Sequence, residues 1–301
     1  RGLGIEAACA ALRLTDGASH VVDAVAQTFL DPDDVIAVEA PSFMGALRLF
    51  RNYGVDIEGY ELDENGLDVD AFAADLAARE AADEPLPKLL YTVPDFQNPT
   101  GVTLSADRRE RLLELAEMYD FLIVEDDPYG QLRFDGSTPP PIKSLDETGR
   151  VIRIDTFSKT IAPGIRTGWV VADEAIVREL ERINAGGENV LTLGAVARYC
   201  EAVDFEAGID ELCAGYRKRR DRMLNALDER MPPGASWSEP EGGFFVWLEF
   251  PDGIDAEELL PTAAEEGVTL LPGTYFYHDD AGRHQARLSS SYGAPAESES
   301  G

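Results

Sequence analysis

The sequence predicts an α/β fold, with a mostly parallel central sheet covered by helices and a smaller α+β domain at the C-terminal end. Short apolar runs alternate with amphipathic helical stretches from about residue 15 to 185, as strands and covering helices do in such sheets. From about residue 186 this alternation gives way to longer helical segments and a few strand-like runs. With 301 residues and 44% hydrophobic content, the chain can bury a core in both units.

The first unit, placed at residues 1–185, contains five apolar runs that are typical of strands. They are VIAVE (35–39), KLLYTV (88–93), FLIVED (121–126), VIRID (151–155) and GWVVA (168–172). The segment at 106–120 places Leu112, Leu115 and Ala116 on one face, as expected of a covering helix. Open α/β sheets bind ligands beyond the carboxyl ends of their strands, so we expect the functional residues there.

The second unit, placed at residues 186–293, combines helical segments with the strand-like runs GGFFVWLEF and ARLSSSY. Its pattern predicts a small α+β domain with a helix near 255–266. The last residues, APAESESG at 294–301, are small, polar and acidic, and they predict a disordered tail.

The composition favours some classes of partner over others. The formal net charge is −31, which disfavours nucleic acid as a partner because phosphate backbones bind basic patches. The scarce lysine and abundant acid resemble the composition of proteins from salt-in halophiles, where molar salt shortens the screening length to about 3 Å.

No apolar run approaches the roughly 18 residues that span a bilayer. Three widely spaced cysteines and three histidines without metal-ligand spacing predict a cytoplasmic protein with no metal site.

Lys159 is one of only four lysines in the chain, and its surroundings are unusual for that residue type. It lies in IDTFSKTIAPGIRTGWVV (154–171), between a predicted strand and a run of small residues. A solvated surface lysine is the ordinary alternative, but these neighbours favour a position within a site.

The segment TDGASHVVDAVAQTFL (15–30) predicts a tight turn at Gly17 that opens a helix. The first backbone N–H groups of that helix, around Ala18 and Ser19, can bind an anion with the help of the helix dipole. Taken alone, this segment is more typical of an ordinary capped helix.

Two further segments place polar side chains at predicted strand ends. VPDFQNPTG (93–101) forms a rigid loop that can aim the amide of Asn98. VEDDPYG (124–130) ends an apolar strand with carboxylates, and Tyr129 follows Asp126 by three residues. Such acids also occur in metal sites, although no further cluster of ligands accompanies these.

Taken together, these motifs resemble those of the fold-type I pyridoxal 5′-phosphate (PLP) aminotransferases of class I/II. The shared motifs, in the same order, are FQNPTG, EDDPYG with LRF after it, TFSK, an arginine seven residues after the lysine, PEGGFFVWL and RLSSSY. The similarity extends over about residues 1–293 and is greatest to the branch with 2-aminoadipate and kynurenine aminotransferases. It implies a PLP-dependent transaminase with the PLP-dependent transferase fold type I.

The resemblance also implies the roles of the residues that act on the cofactor ring. Lys159 would form an imine with the PLP aldehyde and later move the proton during the reaction. Asp126 would pair with the pyridine nitrogen and keep it protonated. Tyr129 and Asn98 would hydrogen-bond the 3′ oxygen, and Phe43, at a position where the family commonly has tyrosine, would stack on the ring.

The resemblance further implies a binding site for the phosphate and one for the substrate. The residues expected around the phosphate are Gly17, Ala18, Ser19, Thr156, Ser158 and Arg166. Arg287 in ARLSSSY would bind the substrate α-carboxylate through two parallel hydrogen bonds, a geometry that lysine cannot provide, and Asn98 is the second expected substrate contact.

The implied reaction moves an amino group from an L-amino acid, either 2-aminoadipate or an aromatic or branched-chain amino acid, to a 2-oxo acid such as 2-oxoglutarate. The resemblance implies a ping-pong mechanism and a homodimer, with neither nucleic acid nor membrane as a partner. Two alternatives stay open: the aminotransferase-like domain of a PLP-binding transcription regulator, and a PLP-dependent β-lyase. Asn98 and Tyr129 favour the enzyme, because such regulators typically depart at these two positions.

The chain departs from the family pattern at its N-terminal end. Family members usually carry a longer region before the segment that matches Gly17, and this region includes a tyrosine that reaches the partner subunit's phosphate. Since the chain also starts with Arg1 instead of methionine, we expect an N-terminally truncated sequence.

Overall fold

The computed structural model describes residues 4–5, 7–183, 189–251 and 253–291. Within these ranges the strands form two sheets, one of eight strands and one of four. The larger sheet is built from the N-terminal part of the chain and the smaller one from the C-terminal part. The predicted α/β fold class is confirmed.

The larger sheet is mostly parallel. Its strands are β1 (Leu12–Thr15), β2 (Val35–Ala40), β3 (Asp56–Asp63), β4 (Gly66–Leu67), β5 (Leu89–Thr92), β6 (Leu122–Asp126), β7 (Val151–Thr156) and β8 (Gly168–Val171). They lie in the order β1-β8-β7-β6-β5-β2-β3-β4. Strands β3, β2, β5, β6 and β7 are parallel, and β8, β1 and β4 are antiparallel to their neighbours. The carboxyl ends of the parallel strands therefore meet at one edge.

Helices cover both faces of this sheet. They are α1 (Ala18–Phe29), α2 (Met44–Asn52), α3 (Val69–Ala82), α4 (Ala106–Tyr119), α5 (Ile142–Leu145) and α6 (Glu174–Ile183). Buried residues of α1, α2 and α6 belong to one apolar core, and those of α3, α4 and α5 belong to another.

Strand β2 shows why the apolar runs of this sequence become central strands. Ile36 and Val38 lie in the core with α1 and α2, whereas Ala37 lies in the core with α3 and α4. All three are fully buried, since successive side chains of a strand point to opposite faces and helices cover both faces. An uninterrupted apolar run is therefore the expected sequence for such a strand.

The C-terminal part contains α7 (Val190–Ala202), α8 (Phe205–Arg230), β9 (Ser236–Trp237), β10 (Phe245–Glu249), α9 (Ala256–Glu265), β11 (Leu271–Pro272) and β12 (Gln285–Ser289). Its strands form an antiparallel sheet in the order β11-β12-β10-β9. Leu248 and Ala286 lie in a third apolar core, but Phe244 and Phe245 belong to the core beside α1 and α2. The smaller sheet is thus packed against the larger one.

The five strands expected from the sequence are all present, and their bounds differ from the expected ones by one residue at most. Strands β1, β3 and β4 were not predicted. These strands lie at the edges of the sheet, where β1 and β3 are largely solvent-accessible and carry the polar residues that edges tolerate. Apolar periodicity is weak in such strands.

Other expectations concern regions outside the described residues. The boundary predicted at residues 185/186 falls in the gap between 183 and 189, and the predicted tail at 294–301 lies beyond residue 291. The division into two domains therefore stays a prediction. Among the described helices, none combines the length and hydrophobicity needed to cross a membrane.

Candidate active site

A cavity of about 260 Å³ lies where the carboxyl edge of the parallel strands meets the C-terminal part of the chain. All the site residues predicted from the sequence line this cavity except Gly17. Gly17 lies against the guanidinium of Arg166, which does line it. The fold therefore brings into one place residues that are separated by up to 270 positions, from Gly17 to Arg287.

Lys159 enters the cavity from the turn after β7. Its Nζ atom lies 5.9 Å from the centroid of the Tyr129 ring and 6.0 Å from that of Phe244. Burial lowers the pKa of this amine, and the positive charges of Arg287 and Arg166 lower it further, although Asp126 opposes them. A lysine with a lowered pKa has a larger neutral fraction at physiological pH and is a better nucleophile.

Asp126 is the last residue of β6. Its Oδ2 atom accepts a hydrogen bond of 2.7 Å from the Tyr91 hydroxyl, whereas Oδ1 is buried without a partner in the described part of the chain. Burial raises the pKa of this carboxyl to about 6, and the Tyr91 hydrogen bond acts in the opposite direction. Since a buried acceptor without a donor is costly, Oδ1 is suited to a ligand N–H group.

The acids on either side of Asp126, Glu125 and Asp127, bind a buried arginine. Arg153 on the neighbouring strand β7 donates a hydrogen bond of 2.7 Å to Glu125 and also binds Asp127. All three side chains are buried, so the arginine offsets two charges that would otherwise be unpaired. The described residues contain no cluster of side chains arranged to hold a metal ion.

Gly17 shapes the start of α1. Its backbone has a φ of 94°, and a Cβ atom at this position would lie 2.4 Å from Nη2 of Arg166. Only glycine adopts this conformation without strain and leaves room for the guanidinium. Helix α1 begins at Ala18, so the N–H groups of Ala18 and Ser19 have no partner within the helix and lie beside Arg166 at the cavity wall.

Two hydroxyl groups complete this wall. Thr156 Oγ1 lies 2.9 Å from Ser158 Oγ and 3.1 Å from the backbone nitrogen of Ser158. Together with Arg166 and the helix terminus they form a concave, donor-rich surface, which is suited to a phosphate group.

Arg287 reaches the cavity from β12 of the smaller sheet. Its Nη1 atom donates a hydrogen bond of 2.7 Å to Asn98 Oδ1, and its guanidinium carbon lies 4.0 Å from the centroid of the Phe245 ring. Nε is buried without a partner in the described part of the chain, and no described carboxylate forms an ion pair with this side chain. Burial lowers the pKa of Arg287 to about 10. A partly buried guanidinium without an acid is suited to a carboxylate ligand.

Phe43 forms the opposite wall from the N-terminus of α2. A Cβ atom at Gly45 would lie 2.5 Å from the Phe43 ring, so glycine at this position makes room for the ring. Phe43 lies two residues after Pro41, in the loop that follows β2.

Four residues that line the cavity were not predicted from the sequence: Tyr91, Val93, Pro128 and Phe245. The first two belong to the run KLLYTV, where they are indistinguishable from core residues until the strand end is placed in space. Phe245 belongs to PEGGFFVWL, which predicts tight packing but does not show that its ring supports Arg287.

Comparison with known proteins identifies the family. The profile of the aminotransferases of class I and II matches residues 5–292. The chain belongs to the class I and II aminotransferases. It is 42% identical over 282 residues to aromatic-amino-acid aminotransferase 1 of Thermococcus litoralis, a match that covers 92% of this chain and 67% of that protein.

Two other similar proteins are an aminotransferase of known structure and a transcriptional regulator. The crystal structure of kynurenine aminotransferase from Pyrococcus horikoshii, in complex with PMP, superposes with a TM-score of 0.92 at 40% identity, over 96% of this chain and 72% of that one. An uncharacterized HTH-type transcriptional regulator of Bacillus subtilis, YisV, is 28% identical over 304 residues, which cover 100% of this chain and 61% of the regulator.

As a member of this family the protein is a PLP-dependent aminotransferase. The cavity fits that cofactor in three respects. The unpartnered Oδ1 of Asp126 suits a protonated ring nitrogen, the donors beside Arg166 suit a phosphate dianion, and the amine of Lys159 suits the aldehyde. The first contact is the most specific, because a buried acceptor without a donor is rare in native structures.

Proposed function

We propose that this aminotransferase moves the amino group of 2-aminoadipate or of an aromatic or branched-chain L-amino acid to a 2-oxo acid such as 2-oxoglutarate. The proposed mechanism is ping-pong, in which donor and acceptor use the same site in turn. The observation that carries the proposal is the meeting of Lys159, Asp126 and the unpaired Arg287 in one cavity of about 260 Å³.

Bound PLP would supply an electron sink for the negative charge that develops at the substrate Cα. Lys159 would take up and release the proton at the substrate Cα, since its lowered pKa increases the neutral fraction of its amine. Asp126 would keep the ring nitrogen protonated through Oδ1. Tyr91 fixes the orientation of that carboxylate from the other side.

The remaining cofactor contacts follow from the walls of the cavity. Phe43 would stack on the ring, and Tyr129 and Asn98 would donate to its 3′ oxygen. The phosphate would be bound by the N–H groups of Ala18 and Ser19, by the hydroxyls of Thr156 and Ser158, and by Arg166, for which Gly17 makes room.

Arg287 and Asn98 would bind the substrate α-carboxylate. The guanidinium is held between the rings of Phe245 and Phe276, at 4.0 and 5.0 Å from their centroids, so its direction is fixed before substrate arrives. Such preorganisation reduces the entropy that binding must overcome. The names of the relatives support aromatic and similar donors, and the aromatic side chains in the cavity wall are consistent with them.

The matched pair Lys159→Ala and Lys218→Ala tests the proposal, since Lys218 is exposed on α8. We expect Lys159→Ala to lower the rate of glutamate formation from 2-oxoglutarate by about 10²–10⁴-fold and Lys218→Ala to leave it unchanged. The measurement uses a panel of amino donors, with borohydride trapping of the cofactor and peptide mapping. Parallel double-reciprocal plots are expected for a ping-pong mechanism.

Other outcomes would favour the alternatives. Stable PLP binding without amino transfer from any donor would favour a regulator, a class to which one relative belongs. Release of pyruvate and ammonia from cysteine conjugates without an acceptor would favour a β-lyase. Asn98 and Tyr129, which both line the cavity, support the enzyme.

We further propose a homodimer in the cytoplasm. Val190 and Leu191, at the start of helix α7, are exposed at 80% and 84% of their surface, and Tyr199 in the helix and Val203 directly after it are also exposed. Exposed large apolar side chains on one element are typical of an interface, and light scattering on wild-type protein and on Leu191→Asp tests this one. We expect the substitution to shift the wild-type dimer towards monomer.

The three free cysteines support the proposed cytoplasmic location, because they suit a reducing compartment.

A further inference from the structure

A buried carboxylate outside the cavity binds the end of β5 and the loop after it, which carries Asn98. Glu39, near the end of β2, is 2% exposed and does not line the cavity. Its Oε1 atom accepts a hydrogen bond of 2.5 Å from the Thr92 hydroxyl, and both oxygens lie 3.2 Å from the backbone nitrogen of Val93. Its Oε2 atom accepts a further bond of 3.0 Å from Gln97 Nε2.

Gln97 connects this carboxylate to the loop after β2 and is itself fixed within the loop after β5. Its Nε2 atom also donates to the carbonyl of Pro41 at 2.8 Å, and its Oε1 atom accepts from both the backbone and the hydroxyl of Thr100, at 2.9 and 2.7 Å. The side chain is 1% exposed and makes all the hydrogen bonds that its amide can make. It can therefore hold only one position.

These contacts bear on the site through sequence neighbours. Asn98, which binds Arg287, follows Gln97 directly, and Phe43 lies two residues after Pro41. The two loops leave different strands, β2 and β5, and the bond from Gln97 to Pro41 is a direct link between them. Together with the bonds of Glu39, this link restrains the two loops relative to each other.

We propose that Glu39, Thr92 and Gln97 form a buried brace that positions Phe43 against the face of the cofactor ring and Asn98 beside its 3′ oxygen. The proposal rests on the ring contacts given under the proposed function. The three brace residues are positioning residues, because none of them lines the cavity.

The chemistry of Glu39 agrees with this role. Burial raises the pKa of its carboxyl to about 7, the hydrogen bonds from Thr92 and Gln97 lower it, and the charge of Asp126 raises it again. An acid that is held where its charge is costly, and that is bound by four donor contacts, constrains the groups that donate to it more tightly than an apolar residue would.

The test compares Thr92→Val with Thr92→Ser in the full chain. Valine has nearly the shape of threonine but cannot donate to Glu39, whereas serine keeps the hydroxyl. We expect Thr92→Val to weaken PLP binding by about tenfold, the change that corresponds to one buried hydrogen bond, and Thr92→Ser to stay within about twofold of the wild type. The measurement is a titration of the apo-protein with PLP, followed by absorbance.

A second readout separates positioning from stability. If Asn98 is displaced, its hydrogen bond to the 3′ oxygen weakens, so the pH midpoint of the bound cofactor's absorbance change should rise in Thr92→Val and in Gln97→Leu. Leu115→Ala, in the apolar core beside α4, should lower the melting temperature without moving that midpoint.

The outcomes distinguish this proposal from the proposed function. If wild-type protein binds no PLP, the proposed function fails. If wild-type protein binds PLP and Thr92→Val and Gln97→Leu keep both its affinity and its pH midpoint, the brace is overturned and the function stands. Loss of melting temperature in these variants with unchanged cofactor properties would also overturn the brace.

Discussion

At the scale of single residues, Lys159 differs from the other lysines through the charges around it. Burial is the largest cause of its lowered pKa, and Arg287 and Arg166 contribute in the same direction. Arg287 thus has two proposed effects: it binds the substrate carboxylate and it lowers the pKa of the lysine amine. The second effect can be measured without substrate.

We predict that Arg287→Met shifts the capture of PLP by the apo-protein to higher pH, whereas Arg287→Lys stays closer to the wild type. Capture needs the neutral amine, whose fraction grows as pH rises through the pKa of Lys159. Removing a nearby positive charge raises that pKa, so the methionine variant needs a higher pH for the same rate. The measurement is the capture rate against pH, and an unchanged profile in Arg287→Met would contradict the prediction.

The residue scale also explains the run Glu125-Asp126-Asp127. Strand alternation directs Asp126 into the cavity and its two neighbours towards Arg153. Three acids stand in a row in the sequence, and the structure separates the one in the cavity from the two that bind Arg153. Only the acid with a free buried oxygen is suited to the cofactor.

At the scale of elements, the start of α1 depends on a glycine. Gly17 combines a positive φ with close contact to Arg166, so two independent constraints act at one position. Gly194 in α7 meets neither constraint, because its φ is ordinary for a helix and a Cβ atom added there would have no other atom within 4 Å.

We predict that Gly17→Ala lowers the affinity for PLP by about tenfold or more, because the new methyl group displaces Arg166 and a backbone with this positive φ costs alanine roughly 1–3 kcal/mol. Gly194→Ala should leave the affinity unchanged and slightly stabilise its helix. Titration of both apo-proteins with PLP, alongside their melting temperatures, provides the comparison. Equal affinities would show that the turn at Gly17 does not shape the phosphate site.

At the scale of the whole molecule, the net charge of −31 is the dominant feature. This charge remains after all 26 basic residues have been set against acids, so ion pairs do not reduce it. Many of the ion pairs, such as Arg182 with Glu179, also lie on the surface, where they contribute little. Repulsion among the unpaired acids should destabilise the folded state in dilute buffer.

We predict that potassium chloride raises the melting temperature by at least about 5 °C between 0.1 and 1 M, a range in which the screening length falls from about 10 to about 3 Å. Most of this gain should come from screening and should therefore level off near the upper end. Sucrose at equal osmolality does not screen charges, so it is the matched control. An equal effect of sucrose would refute the electrostatic explanation.

Much of the fold was predictable from local sequence. The buried strands of the larger sheet have apolar runs bounded by turn residues, so their positions follow from composition alone. Edge strands such as β1 (Leu12–Thr15) carry mixed residues and were missed, because their pairing depends on β8 and not on their own pattern. Cavity residues inside apolar runs, such as Tyr91, were missed because their sequence pattern is the same as that of core residues.

Short sequence motifs indicated which functional groups the site contains. Lysine, acid, asparagine and arginine, in motifs that resemble those of a known family, were enough to indicate the cofactor. The distances among these groups could not follow from the motifs. They arise from contacts between segments far apart in the chain, such as Arg287 with Asn98 and Glu39 with Gln97, which exist only once the strands have paired.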